Sequence, residues 1–285
     1  MTNPFDKAAL KRFLAFIEER AAIRDRRLAG KPKPWTKDPI MQAYRFCNVE
    51  REHDTVTQWV AESWRAPNAA DPDLWFAMVV ARLVNTPATL RSLGYPVPFR
   101  AARFVGTIQQ LQAAGLQAYS GAYIVSTNGH AMNKAEYLSE HVLAPLWAAR
   151  KVVRPRVGEA LFQFCARLMA HNGMAGFMAG QVVADVKYTA PLSHAHDWWN
   201  WAVSGPGSRR GMNRILNVPK DAPCKEDVWR THVGMLREIV HVARLAKSRT
   251  PLHAQDVQNC LCEFDKIERV RLGEGRPRST YPGAK

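Results

Sequence analysis

Residues 204–214, SGPGSRRGMNR, gather residue types that hold an anion. Gly205, Pro206 and Gly207 set a turn, and Ser208 stands where an N-cap would start the helix RRGMNRIL. A helix N-terminus offers unpaired amides and a positive dipole end. Arg209 and Arg210 add guanidinium forks that match phosphate oxygens, with Asn213 and Arg214 one turn on. Two successive cations oppose the dipole at a helix start, so a bound anion accounts for them more directly than a solvated basic turn. The GxxxxGK(S/T) phosphate loop is absent from the sequence.

Upstream lies HAHDWWNW, residues 194–201, with His194, His196, Asp197, Trp198, Trp199 and Trp201 in eight positions. Tryptophans ordinarily fill a core; beside an anion site they also serve as walls on which an extruded base stacks. His194 and His196 suit metal binding from a strand or loop, but no third ligand accompanies them, so neither metal nor cofactor is expected. Residues 171–189, HNGMAGFMAGQVVADVKYT, set Gly173 and Gly176 three apart, then run as an apolar helix into Asp185 and Lys187. That pattern fits a helix-hairpin-helix turn, where glycine lets amides approach a DNA phosphate, and equally an ordinary helix-helix turn. RFCNVERE, residues 45–52, presents Arg45, Asn48, Arg51 and Glu52 at helical spacing on one face. CEFDKIERVRLGEGRPR, residues 262–278, brings Lys266, Arg269 and Arg276 as a second phosphate contact, or as part of an ion-paired helix surface.

The elements that must position these groups read as helices. From Asp6 to Leu28 apolar residues recur at three and four spacing, and the run closes on Gly30 and KPKPW. A second helix is expected from Asp38 to about Trp64, and a third in DPDLWFAMVVARLV from Asp71. Further helices are expected at roughly 134–150, 158–171, 176–187, 209–216, 225–247 and 253–271. Residues 118–127 alone cluster β-branched and aromatic residues, for a short strand or hairpin. The fold class is therefore mainly α, as one domain over residues 1–285 with an N-terminal helical half of about 1–115 and a second half of about 130–278. The polar, Pro- and Gly-rich tail is expected not to pack, at least beyond Arg278.

Composition narrows the partners. Forty Lys and Arg against 25 Asp and Glu give a net charge of +15, which predicts a polyanionic partner. The richest apolar run, residues 74–84, is short and contains Arg82, so no membrane partner is expected. The first residues lack the layout of a secretory signal, which points to the cytoplasm. Five cysteines without CxxC spacing imply neither a disulfide framework nor a zinc site.

Four ordered blocks form a recognisable set: residues 33–52, 176–189, 205–214 and 263–278. Together they resemble the alpha-glutamyl/putrescinyl thymine pyrophosphorylases, also described as amino acid:DNA transferases, and the helical domain of phage 5-hydroxymethyluracil DNA kinases. The resemblance implies a transferase of phage DNA hypermodification, in a helical fold related to helix-hairpin-helix DNA glycosylases. Its partners would be double-stranded DNA carrying pyrophosphorylated 5-hydroxymethyluracil, an amine or amino acid that replaces the pyrophosphate, and a kinase acting before it. In that chemistry Gly207, Ser208, Arg209 and Arg210 would receive the departing anion, and Asp185, with Asp197 in reserve, would deprotonate the amine. Trp198, Trp199 and Trp201 would hold the flipped base. Asp185 is equally readable as a helix-end acid paired with Lys187 or Arg209, and Cys47 as a pyrimidine nucleophile or a small buried residue. Two other functions remain open: a glycosylase or lyase using Asp185 or Lys187, and a non-catalytic DNA-binding partner of a kinase.

Overall fold

In the computed structural model, residues 3–121, 126–277 and 279–281 are described. The chain opens with α1 (Lys7–Leu28) and α2 (Pro39–Ala43). It continues through α3 (Thr55–Val60), α4 (Leu74–Val84), α5 (Pro87–Leu93), α6 (Ala101–Ala113), α7 (Lys134–Tyr137), α8 (Ala144–Ala148) and α9 (Arg150–Val153). Then come α10 (Leu161–Met169), α11 (Gly176–Val186), α12 (Pro206–Ile215), α13 (Glu226–Leu245) and α14 (Ala254–Arg271). Single π-helical turns at Ala61–Arg65 and Leu138–Leu143 interrupt two of these runs. The architecture is mainly α, with no strand among the described residues beyond one isolated bridge, Tyr44 to Thr280. The hairpin expected over 118–127 centres on residues 122–125, which lie outside the described residues.

The helices form two compact units, Met1–Asp54 with Trp199–Lys285, and the continuous stretch Thr55–Trp198. These are not the two sequence halves expected above, because the chain leaves the first unit after residue 54 and re-enters it at 199.

In the first unit α14 is the central strut. Its apolar face (Val257, Leu261, Phe264, Ile267) packs with Phe13 and Ile17 of α1, Met212 and Ile215 of α12, and Trp229, Val233 and Leu236 of α13. Each such large side chain, fully buried, contributes about 1.5–3 kcal/mol of transfer free energy. Asp6 caps α1 through the Ala9 amide at 2.8 Å. Two glycines of GPGSRRG permit close packing. A Cβ at Gly211 would lie 2.1 Å from the Leu261 carbonyl oxygen, and one at Gly207 would lie 2.5 Å from the Cys262 sulfur. Glycines at i and i+4 share one helix face, so together they let α12 lie on the backbone of α14.

The expected helix from Asp38 to Trp64 breaks in two places. After α2 the chain runs extended through residues 44–48, makes the 3₁₀ turn Arg51–His53 and only then enters α3. Carboxylates of α14 hold the extended piece: Glu263 accepts from the Cys47 amide at 3.1 Å and Asp256 from the Arg51 amide at 2.9 Å. Buried backbone donors need partners, and here a neighbouring helix supplies them in place of the helix ladder. The tail expected to be unpacked joins the same piece. The Arg45 amide donates to the Ser279 carbonyl at 3.1 Å and the Tyr281 amide to the Ala43 carbonyl at 2.9 Å, bonds that a polar sequence makes as well as an apolar one.

In the second unit every residue of α4 is buried, Arg82 included. Facing α11 supplies its counter-ion, Asp185. Two helices here had no sequence expectation: α5, in the segment TPATL read as punctuation, and α6, anchored by Phe104 and Ile108.

Candidate anion and nucleic-acid site

The helix carrying the anion motif starts earlier than its serine suggests. Pro206 occupies the first turn of α12 and Gly205 the cap position, so Ser208 lies inside the first turn. The Ser208 hydroxyl is fully buried, accepts from the Gly205 amide at 2.9 Å and donates to the Gly205 carbonyl at 3.0 Å. Proline at the first helical position is pre-organised and needs no donor, which moves the start upstream. Arg209 and Arg210 therefore stand one turn inside α12 rather than at its mouth.

Their partners divide them. Arg209 donates to the Ser204 hydroxyl at 2.7 Å, to Glu226 at 2.7 Å and to the Cys224 carbonyl, so its whole fork is used inside the protein. Asn213 is likewise spent, closing the following loop through the carbonyls of Lys220 and Ala222 at 3.0 and 2.9 Å. Arg210 instead reaches α14, where its Nε donates to Asp265 at 2.9 Å. Arg214 Nε donates to the other oxygen of Asp265 at 2.9 Å, and Arg269 Nε stands 3.3 Å from the oxygen that Arg210 meets. One fully buried carboxylate thus gathers three guanidiniums, with Glu274 on the far fork of Arg214 at 2.5 Å. Arg214 holds the Glu274 carboxyl below its ordinary range. Arg210 and Arg269 meet Asp265 through Nε alone, which leaves their Nη edges without a hydrogen bond among the described residues. Asp265 thus holds these guanidiniums as a cradle of fixed position.

The block at residues 45–52 does not present a helix face. Asn48 is tied back to Asp54 by its amide at 2.9 Å and to the His53 carbonyl at 2.8 Å. Lys266 braces the block, donating to the Arg45 carbonyl at 2.6 Å and to Glu263 at 3.0 Å. The Arg45 guanidinium lies 5.6 Å from the Tyr281 ring centroid, while Arg51 and Glu52 sit in the 3₁₀ turn. Arg276 is exposed after α14. Cys47 is exposed as a residue, yet desolvation of its sulfur, with Glu263 and Asp54 nearby, pushes the thiol well above its ordinary range. It is a poor nucleophile in this setting.

Beside this block the structure brings in residues that sequence reasoning did not single out. Arg20, Arg24 and Arg27 of α1, with Met41, Phe46, Asn48 and Tyr281, line a shallow open groove. Their i, i+4, i+7 spacing is legible as a basic stripe on a helix; what hides its importance is the return of Tyr281 from the far end of the sequence.

In the second unit the two nominated bases are engaged. Both oxygens of Asp185 accept from Arg82, each at 2.5 Å, in a pair 0% and 2% exposed. Asp197 caps α10, accepting from the Leu161 and Phe162 amides at 2.8 and 3.1 Å. Lys187 is buried, its ammonium 4.2 Å from the Trp198 ring centroid, and Trp198 Nε1 donates to the Lys187 carbonyl at 3.0 Å. Gly173 sits at φ +75° in the turn between α10 and α11, where a Cβ would lie 2.8 Å from Val142, and Gly176 opens α11. Trp199, in the first unit, is 43% exposed and tilted against His253, whereas Trp201 is buried. Among the described residues no cluster of three or more metal-ligating side chains occurs, and no helix is long and apolar enough to cross a membrane.

The sequence matches, over residues 7–276, the family described as the 5-hmdU DNA kinase helical domain. The chain belongs to this family. A relative, the 5-hmdU DNA kinase of Bacillus phage SP10, is 23% identical over 227 residues, 72% of this chain. The chain spans about a third of that relative, 35% of its length. No solved structure matches.

Proposed function

We propose that this chain works in the modification of thymine positions of phage DNA, where it binds DNA bearing pyrophosphorylated 5-hydroxymethyluracil and exchanges the pyrophosphate for an amine. The observation that carries the reading is membership of the 5-hmdU DNA kinase helical-domain family across nearly the whole sequence. The net charge of +15 and the arginines gathered on Asp265 support a polyphosphate substrate. No GxxxxGK(S/T) loop occurs in these 285 residues.

In the reaction, an electron pair of the pyrimidine ring expels pyrophosphate as the exocyclic C–O bond breaks. The lone pair of an amino acid or putrescine nitrogen then attacks the exposed methylene and forms the C–N bond. The Nη edges of Arg210 and Arg269 offset the charge that develops on the departing oxygen. Asp265 fixes them in place. Both oxygens of Asp185 accept from Arg82 and those of Asp197 from the Leu161 and Phe162 amides, so the amine proton is assigned to the released pyrophosphate.

The engagement of those two carboxylates also favours a second reading, a non-catalytic partner that presents DNA to a kinase. The test is mass spectrometry of nucleosides from pyrophosphorylated DNA incubated with the protein and a pool of amino acids and polyamines. The transferase reading expects a new aminated nucleoside and free pyrophosphate. DNA binding with neither product selects the second reading.

A further inference from the structure

The groove along α1 carries a separate inference. Arg20 is nine-tenths buried, yet its guanidinium makes no hydrogen bond among the described residues, and the nearest carboxylate oxygen, on Glu263, is 3.8 Å away. Glu263 is already shared by Lys266 at 3.0 Å and the Cys47 amide at 3.1 Å. Arg20 rests instead between aromatic rings, 5.3 Å from the Phe46 centroid and 5.8 Å from that of Phe16. A guanidinium has five N–H donors, and those of Arg20 open onto the groove rather than onto a protein acceptor. Arg24 and Arg27 line the same groove with no ion pair among the described residues. Three positive charges thus face an opening beside which Glu263 is already shared and Asp54 is tied to Asn48.

The opposite wall is aromatic and is held by backbone. Tyr281 is placed by its amide bond to the Ala43 carbonyl and by the bridge from Thr280 to Tyr44. Lys33 and Arg45 stand 5.5 and 5.6 Å from its ring centroid, which keeps a positive field on that side too. A cationic track beside aromatic faces is the arrangement that binds a nucleic-acid strand, phosphate on the cations and base on a ring.

We propose that this groove binds a DNA strand, seating a phosphodiester on Arg20, Arg24 and Arg27 and an unstacked base against Tyr281. The site rests on DNA being the substrate, not on amine transfer. It uses none of the arginines gathered on Asp265, being built from α1, residues 41–48 and Tyr281.

The test is fluorescence anisotropy of a short labelled single-stranded oligothymidylate against the full chain over a salt series. The double variant Arg24→Ala with Arg27→Ala should bind at least tenfold more weakly, and its log–log salt slope should fall by about 1.4, or about 0.7 per lost phosphate contact. Tyr281→Ala should weaken binding about tenfold with the salt slope unchanged, because stacking releases no counterions. Neither arginine carries an internal bond among the described residues, so the thermal unfolding midpoint of the double variant should match the parent. Unchanged oligonucleotide affinity in the double variant would overturn the groove while leaving the DNA reading intact. The same holds if the variants lose binding of free pyrophosphate and not of the strand. Failure of the parent protein to bind any DNA would overturn both, and amine transfer is measured independently of either.

Discussion

Asp265 shows how a single buried acid can make arginines more useful to a ligand. Alone in the interior it would be costly; with Arg210, Arg214 and Arg269 around it, it is compensated and the surplus charge faces outward. Replacing Arg210 and Arg269 together by Ala should lower pyrophosphate release from modified DNA by at least 100-fold, the scale of one lost charge-stabilising donor, while circular dichroism stays unchanged. Equal turnover in that variant would remove the cradle from the chemistry. Asp54 behaves differently. Desolvation pushes its carboxyl above the ordinary 3.8, against the pull of the Asn48 hydrogen bonds, Arg51 and Arg20. Because its folded-state affinity for a proton is raised, its contribution to stability is complete below pH 3.8 and is lost as pH rises through the folded value. Asp54→Asn keeps an acceptor for the Asn48 amide and removes the charge. Urea midpoints should therefore diverge in favour of the variant as pH climbs toward neutrality and converge at acid pH; a constant gap would show that charge is not the cause.

At the scale of elements, the pair Arg82–Asp185 ties α4 to α11 inside the second unit. Removing one partner of a buried pair costs about 3–5 kcal/mol, so Asp185→Asn should lose that much stability in chemical denaturation, with any loss of activity following the loss of folded protein. A fully stable but inactive variant would return Asp185 to the chemistry. The sequence marks this residue as interesting for a sound reason, a lone acid in an apolar helix, but its counter-ion sits 103 positions away and no local spacing reveals it. Long periodic helices such as α1, α13 and α14 are legible because their apolar stripes span several turns. The break after Ala43 is not, because the residues that replace its helical bonds, Asp256 and Glu263, belong to another helix. The true start of α12 is hidden for the opposite reason. Serine is a good cap in general, and only the packing of Gly207 and Gly211 on α14 shows that the helix has already begun. Within the candidate site, the arginines on α12 and α14 are readable as basic residues; their division into spent (Arg209) and available (Arg210, Arg269) depends on which carboxylate each one meets.

On the scale of the whole molecule, a net charge of +15 predicts DNA binding dominated by counterion release. With six or more phosphates contacted, raising salt from about 50 to about 200 mM should weaken duplex binding by roughly a thousandfold or more. An affinity that barely changes across that range would mean that the basic surface is not the contact. The two-unit layout has a further consequence, during synthesis. The second unit, Thr55–Trp198, is one uninterrupted stretch, whereas the first needs Trp199–Lys285 to reach Met1–Asp54. A ribosome delivers the pieces in that order. The leading residues must wait, with Phe13, Phe16 and Ile17 uncovered, until α14 emerges to receive them. Nascent chains arrested near residue 230 should thus carry a protease-resistant core from the middle of the sequence and a freely cleaved α1. Until residue 281 is made, the arginine row on α1 has no Tyr281 beside it, so the groove forms long after the helix that carries its cations.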